Sequence, residues 1–61
     1  MKRDDLLRHL RKYGCELLRE GGSHSIWWHP ETKRKSSVPR HRELRETIAK
    51  KICKDLDIPL P

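Results

Sequence analysis

The chain of 61 residues is long enough for one domain, and its 15 lysines and arginines against nine aspartates and glutamates give a net charge of +6. A chain of this size buries only about 60% of the surface that its unfolded form exposes, so a binding partner would help a marginal core. The charge suits nucleic acid, an anionic membrane surface or an acidic protein as that partner. No apolar run exceeds Ile26-Trp27-Trp28, so we expect no signal peptide, no membrane span and a cytoplasmic location.

Cysteine and histidine spacing gives little support to a metal site. Cys15 and Cys53 form no Cys-x-x-Cys pair, and the four histidines lack zinc-finger spacing. A secreted domain of this size would usually be rich in disulfides. We interpret both cysteines as small, buried apolar side chains, and we expect neither a metal nor a cofactor.

Apolar residues recur at helical spacing from Lys2 to Tyr13, which predicts an amphipathic first helix. Asp4 and Asp5 lie in its first turn, where the helix dipole favours negative charge. Gly14 is expected to end this helix in the left-handed conformation.

Three strands are predicted next. The run Cys15 to Arg19 turns at the glycine pair into a second strand from Ser23 to His29. After a turn at residues 30–33, Arg34 to Val38 form a polar third strand that ends at Pro39, because proline has no amide proton for a ladder. Short turns between sequential strands predict an antiparallel meander.

A second helix is predicted after the basic connection, with a start between Arg42 and Glu46. Its apolar stripe falls at successive i+4 positions, with Ala49 and Cys53 beside it: Leu44, Ile48, Ile52 and Leu56. The predicted fold class is therefore α+β, a single domain over residues 1–61 with the order α-β-β-β-α, a three-stranded antiparallel sheet and both helices on one face.

The segment Gly21-Gly22-Ser23-His24 is the strongest candidate for chemistry. Glycine permits positive φ and close approach of another backbone or a phosphate. Histidine is the residue type that exchanges a proton near neutral pH. A histidine that merely satisfies the turn by hydrogen bonding is an equally good interpretation of this spacing.

Strand alternation places His24, Ile26 and Trp28 on one face of the second strand, and Ser25, Trp27 and His29 on the other. One tryptophan should lie in the core and the other on a surface where a base could stack. Alternation does not decide which, and we take Trp27 as a candidate RNA contact. His29, beside Pro30, is better interpreted as a turn residue.

Basic residues concentrate at the end of the sheet and on the second helix. A charge run is usually a solvated face, but tryptophan and histidine interrupt this one, which is typical of single-stranded RNA recognition. Candidate RNA contacts are Gly22, Ser23, Trp27, Lys35, Arg40 and His41.

Four segments together resemble the HicA-type toxins, small messenger-RNA interferases of bacterial toxin–antitoxin pairs. They cover nearly all of the chain: Arg19-Glu20-Gly21-Gly22-Ser23-His24, His29-Pro30, Val38-Pro39-Arg40-His41 and Ile52-Cys53-Lys54-Asp55-Leu56-Asp57-Ile58-Pro59. Many members have a lysine before the motif glycine, where this chain has Gly21, so no role is carried over for that lysine.

The resemblance implies a double-stranded-RNA-binding-domain-like fold, an mRNA substrate and His24 as the catalytic residue. It also implies a HicB-type antitoxin that covers the active face, in a dimer or hetero-oligomer. Without a carboxylate cluster suited to Mg²⁺, we expect a metal-independent endoribonuclease in which His24 is a general acid or base. The alternative is a non-catalytic RNA-binding module of the same fold. A DNA-binding second helix is a weaker interpretation, because the partner helix of a helix-turn-helix is missing.

Overall fold

The computed structural model describes all residues, 1–61, and confirms the predicted α-β-β-β-α order. Each predicted boundary lies close to the observed one. The elements are α1 (Arg3–Lys12), β1 (Glu16–Glu20), β2 (His24–His29), β3 (Arg34–Pro39) and α2 (Glu46–Asp55). Neither helix has the length and apolar content needed to cross a membrane.

Each of the two helices ends in a hydrogen-bonded turn of the same type. After α1, Gly14 adopts φ +86°, and the amide of Cys15 donates to the carbonyl of Leu10 at 2.9 Å. After α2, Asp57 adopts φ 56°, and the amide of Ile58 donates to the carbonyl of Cys53 at 3.0 Å. This is the Schellman arrangement, which confirms Gly14 as a left-handed stop.

The three strands form one antiparallel sheet in the order β1-β2-β3, so β2 is central. In the β2–β3 ladder His24 lies opposite Pro39, and Trp28 lies opposite Lys35. The β1–β2 register shifts between Leu17 and Arg19, which marks a β-bulge in the edge strand. Glu20, His24 and Pro39 consequently lie at the same end of the sheet.

One hydrophobic core joins both helices to one face of the sheet, as predicted. Trp27 and Val38 point from the sheet into a cluster with residues of both helices and of the segments that flank them: Leu6, Leu7, Leu10, Cys15, Leu44, Ala49, Ile52, Cys53 and Leu56. Both cysteines are buried and free, as expected, and burial raises their pKa values. The predicted stripe of α2 is wrong at Ile48, which is 36% exposed, because Ala49 turns inward in its place.

The N-terminus is tied to the connection between β3 and α2. The amide of Leu44 donates to the carbonyl of Met1 at 2.8 Å, and the amide of Arg3 donates to the carbonyl of Arg42 at 2.9 Å. Lys2 and Glu43 form an isolated antiparallel bridge. The start of α1 therefore lies beside residues 40–43, next to the end of the sheet that carries His24.

Candidate functional site

The loop between β1 and β2 is closed by a hydrogen bond from the amide of Gly21 to the carbonyl of His24 at 2.8 Å. A Cβ on Gly21 would lie 2.8 Å from that carbonyl oxygen, whereas one on Gly22 would meet nothing within 4 Å. Neither glycine has positive φ, so that part of the expectation for the pair is wrong. Gly21 is needed for the close approach of two backbone segments.

His24 is exposed at the first position of β2. Its Nδ1 lies 3.0 Å from the Oγ of Ser23, and the ring makes no other side-chain hydrogen bond. A hydroxyl both donates and accepts, so Ser23 can partner either tautomer of the ring. This leaves Nε2 open to solvent, where it can exchange a proton with a ligand.

The amides of Gly22 and Ser23, in the same loop, have no acceptor within the protein. Both residues are exposed. Adjacent free amides at a turn can donate to an anion, and here they lie next to the histidine in sequence.

Arg40 connects this loop to the end of β3. Its Nη2 donates to the carbonyl of Gly21 at 2.6 Å and lies 3.3 Å from Oε1 of Glu20. Its backbone amide donates to the carbonyl of Ser23 at 3.3 Å. These contacts hold Arg40 against the loop, close to the residues that flank His24.

A hydrogen-bond network lies behind the loop. Ser25 is buried and its hydroxyl donates to Glu20, while Nη2 of Arg3 donates to the same hydroxyl at 3.1 Å. Arg3 also donates from Nε to the carbonyl of Pro39 at 2.8 Å. The hydrogen bond from Ser25, with the nearby Arg40 and Arg3 guanidinium groups, lowers the pKa of the Glu20 carboxyl. The network therefore links the start of α1 to all three strands.

A pocket of about 480 Å³ opens beside the network and has no hydrophobic residue in its lining. We call it the cationic pocket, and it is lined by Lys2, Arg3, Asp4, Arg40 and Arg42. The sequence pattern did not indicate Lys2 and Arg3 as site residues, because Arg3 reaches Pro39 only through a contact that spans 36 residues of chain.

Trp27 is not a surface residue, and its prediction as an RNA contact is corrected. It is 3% exposed because both helices cover its face of the sheet. Trp28 is half-buried and lies on the opposite face of the sheet, which also carries His24. We call this the open face, because the helices pack against the other one. The Nζ of Lys33 lies 5.1 Å from the centre of its ring.

The other predicted site residues lie at different distances from the loop. Lys35 is exposed on the open face opposite Trp28, some way along the sheet from His24. His41 is exposed and follows Arg40, at the same end of the sheet as His24. His29 lies at the far end of β2, where its Nδ1 accepts from the amide of Glu31 at 3.3 Å, as a turn residue would. No three His, Cys, Asp or Glu side chains are close enough to hold a metal ion together.

Comparison with models of protein families gives a match over most of the chain. The family model described as the HicA toxin of bacterial toxin–antitoxin systems matches residues 3–58. No curated protein and no solved structure matches the chain. The matched region runs from α1 through the glycine loop and His24 to Ile58, whose amide closes the Schellman turn of α2. The chain therefore belongs to the HicA toxin family of bacterial toxin–antitoxin systems.

Proposed function

We propose that this toxin is a metal-independent endoribonuclease that cleaves mRNA in the cytoplasm, with His24 as its general acid or base. The observation that carries the proposal is an exposed imidazole whose Nδ1 is held by Ser23 and whose Nε2 is free, beside two unpaired backbone amides. Proton transfer by a side chain and stabilisation of the charge on the phosphate both accelerate phosphodiester cleavage without a metal ion.

The chemistry needs only groups of the chain and the RNA. The 2′-oxygen of a ribose attacks the adjacent phosphorus and loses its proton to a base, while the bond from phosphorus to the 5′-oxygen breaks. The leaving 5′-oxygen takes up a proton, and the products carry a 2′,3′-cyclic phosphate and a 5′-hydroxyl. His24 performs one of these proton transfers, and His41, at the same end of the sheet, is a candidate for the other.

Charge on the phosphate would be stabilised from the loop. The free amides of Gly22 and Ser23 donate to the phosphate oxygens, and Arg40 adds positive charge next to them. Because Arg40 is held by Gly21 and Glu20, it loses little freedom when the substrate binds.

The open face of the sheet offers a path for the rest of the strand. Along β2 from His24, Ile26 and Trp28 point to this same face, and Lys35 lies opposite Trp28. Lys33 and Lys35 add positive charge around an indole that is available for base stacking. We assign to Trp28 the stacking role that sequence analysis gave to Trp27.

A HicB-type antitoxin is the protein partner that we propose, bound as a hetero-oligomer over the face that carries His24. The net charge of +6 favours a partner with an acidic surface. Binding only the folded toxin would also raise its stability, which matters for a small core.

The decisive experiment measures cleavage of a mixed-sequence RNA in EDTA by the wild type, His24→Ala and His24→Gln. Both variants should lose cleavage, by about 10²- to 10⁴-fold, while the melting temperature stays near wild type because His24 is exposed. Glutamine can hydrogen-bond to Ser23 but cannot titrate near neutral pH.

Substrate and product analysis sharpens the same experiment. RNA with a 2′-deoxyribose at the cleavage site should remain intact, and the wild-type products should carry the cyclic phosphate. A His24→Gln protein that cleaves at the wild-type rate contradicts the role of His24. A wild-type protein that binds RNA but never cleaves it supports the non-catalytic RNA-binding module instead.

The partner is tested separately by co-expression with the product of the adjacent gene. We expect the two proteins to co-purify, the toxin to melt at a higher temperature in the complex, and growth arrest to be suppressed. A product that neither co-purifies nor suppresses growth arrest contradicts the antitoxin assignment.

A further inference from the structure

We propose that the cationic pocket binds a backbone phosphate of the RNA next to the phosphate at which His24 acts, an inference that rests on the proposed RNA substrate. The pocket has four cationic side chains against one carboxylate, that of Asp4. It has no hydrophobic lining, and its volume of about 480 Å³ leaves room for a phosphodiester group. A small anion therefore fits this pocket better than an apolar ligand does.

Arg3 is the fixed part of the pocket. It is half-buried, and its Nε and Nη2 are held by Pro39 at 2.8 Å and Ser25 at 3.1 Å. The N–H groups on its Nη1 have no acceptor in the protein. A guanidinium that is already oriented loses less freedom when it donates to a phosphate than a free side chain does.

Lys2 and Arg42 are the adjustable part. Both are exposed, and neither is paired with a carboxylate in the structure. The hydrogen bond between the amide of Arg3 and the carbonyl of Arg42 holds the two segments side by side. These two unpaired cations of the lining can move onto a phosphate without breaking any ion pair of the protein.

Arg40 places the pocket next to the loop. It lines the pocket, and it contacts the carbonyls of Gly21 through its side chain and of Ser23 through its backbone amide. An RNA strand that presents one phosphate to the amides of Gly22 and Ser23 would therefore carry a neighbouring phosphate toward the pocket. The two phosphate contacts would fix the position of the RNA strand relative to His24 without any contact to a base.

The test measures binding of a 2′-O-methyl RNA oligonucleotide, which cannot be cleaved through its 2′-oxygen, by the full chain in EDTA at several salt concentrations. The slope of log K against log salt is negative, and Lys2→Ala and Arg42→Ala should each make it shallower by about 0.7, and the double variant by about 1.4. Lys54→Ala is the matched control, because it also removes one exposed positive charge but lies in the last turn of α2 and does not line the pocket. The control should make the slope shallower by less than half as much.

A titration with inorganic phosphate tests the pocket without RNA. In NMR spectra of the wild type, the backbone amide signals of residues 2–4 and 40–42 should shift with added phosphate until the shifts reach a plateau. These shifts should be absent in the double variant. Wild-type spectra that do not change at residues 2–4, or a Lys54→Ala variant with the same loss of slope as Arg42→Ala, would overturn the proposal. Pocket variants that bind RNA like the wild type but fail to bind the antitoxin would also overturn it.

The outcomes separate this inference from the proposed function. If the wild type binds 2′-O-methyl RNA through the pocket but never cleaves ordinary RNA, the nuclease assignment fails and the phosphate site stands. If cleavage depends on His24 while the double variant keeps the wild-type slope, the nuclease assignment stands and the phosphate site fails.

Discussion

The guanidinium of Arg40 donates from Nη2 to the backbone carbonyl of Gly21 at 2.6 Å, across 19 residues of chain. This hydrogen bond ties the end of β3 to the loop that precedes His24. The same Nη2 lies 3.3 Å from Glu20, so the guanidinium contacts both a carbonyl and a carboxylate. Arg40 is therefore a structural support of the loop as well as a candidate contact for phosphate.

Replacing Arg40 with lysine should separate these two roles. Lysine keeps the charge but loses the planar fork, so we expect the salt slope of RNA binding to stay near wild type while the cleavage rate falls about 10- to 100-fold. Arg40→Ala should show the same fall in the cleavage rate and should also make the negative salt slope shallower by about 0.7. Filter binding and single-turnover cleavage measure the two quantities, and an Arg40→Lys protein with the wild-type rate would show that the loop does not depend on the fork.

The two glycines of the loop should respond differently to alanine. In Gly21→Ala the new Cβ would lie 2.8 Å from the carbonyl of His24, so the loop must shift and cleavage should fall about 100-fold. In Gly22→Ala the Cβ meets nothing within 4 Å, so the melting temperature should stay within a few degrees of wild type. Equal melting temperatures and rates for the two variants would contradict the close approach at Gly21.

Replacing either tryptophan with alanine should lower the stability of the protein, but by different amounts. Trp27→Ala should cost about 3–5 kcal/mol and unfold much of the protein, because Trp27 is 3% exposed in the core. Trp28→Ala should cost only about 1 kcal/mol, because Trp28 is half-buried. Urea unfolding followed by circular dichroism measures both.

A fluorescence experiment then tests the stacking role of Trp28. In Trp27→Phe, Trp28 is the only fluorophore of its type, and phenylalanine also removes the Trp27 indole N–H, which has no hydrogen-bond partner in the protein. RNA should quench the fluorescence of this variant. If quenching occurs only in Trp28→Phe, where Trp27 remains, the open face is not the stacking surface.

The free energy of unfolding should decrease at acid pH, in part because Glu20 becomes protonated. Its folded pKa is lowered, first by the hydrogen bond from Ser25, so between the folded and unfolded pKa values the unfolded chain binds more protons. The contribution of Glu20 to the free energy of unfolding is fully present above the ordinary glutamate pKa of about 4.3. It is lost as the pH falls through the pKa of Glu20 in the folded protein.

Glu20→Gln should therefore lose less stability than the wild type when urea unfolding is repeated from about pH 6 down to about pH 3. Asp55, whose pKa is lowered mainly by a hydrogen bond from Lys51 and also by Ser36, should behave in the same direction in Asp55→Asn. The double variant should show the weakest acid dependence. A Glu20→Gln curve parallel to the wild type would show that the network with Ser25 does not persist in solution.

Much of the architecture was predictable from local pattern. The apolar spacing of α1, the stop at Gly14 and the polar alternation of β3 depend on interactions between residues a few positions apart, which the sequence displays directly. The motif from Gly21 to His24 was likewise found without the fold, because glycine and histidine have properties that no other residue shares.

The remaining features depend on contacts between residues far apart in the chain. Alternation in β2 separates Trp27 from Trp28, but only the packing of both helices against one face decides that Trp27 is the core residue. The same packing turns Ala49 inward and leaves Ile48 exposed.

The cationic pocket is the clearest case of a feature that only the tertiary structure decides. Lys2 and Arg3 stand at one end of the sequence, and Arg40 and Arg42 lie after β3. No short-range pattern relates them. They meet because backbone hydrogen bonds join residues 1–3 to residues 42–44, and because Arg3 reaches across to Pro39. The sequence by itself determined the order of elements and pointed to His24 as a candidate, whereas long-range hydrogen bonding and core packing decided which charges line the cationic pocket and which tryptophan lies in the core.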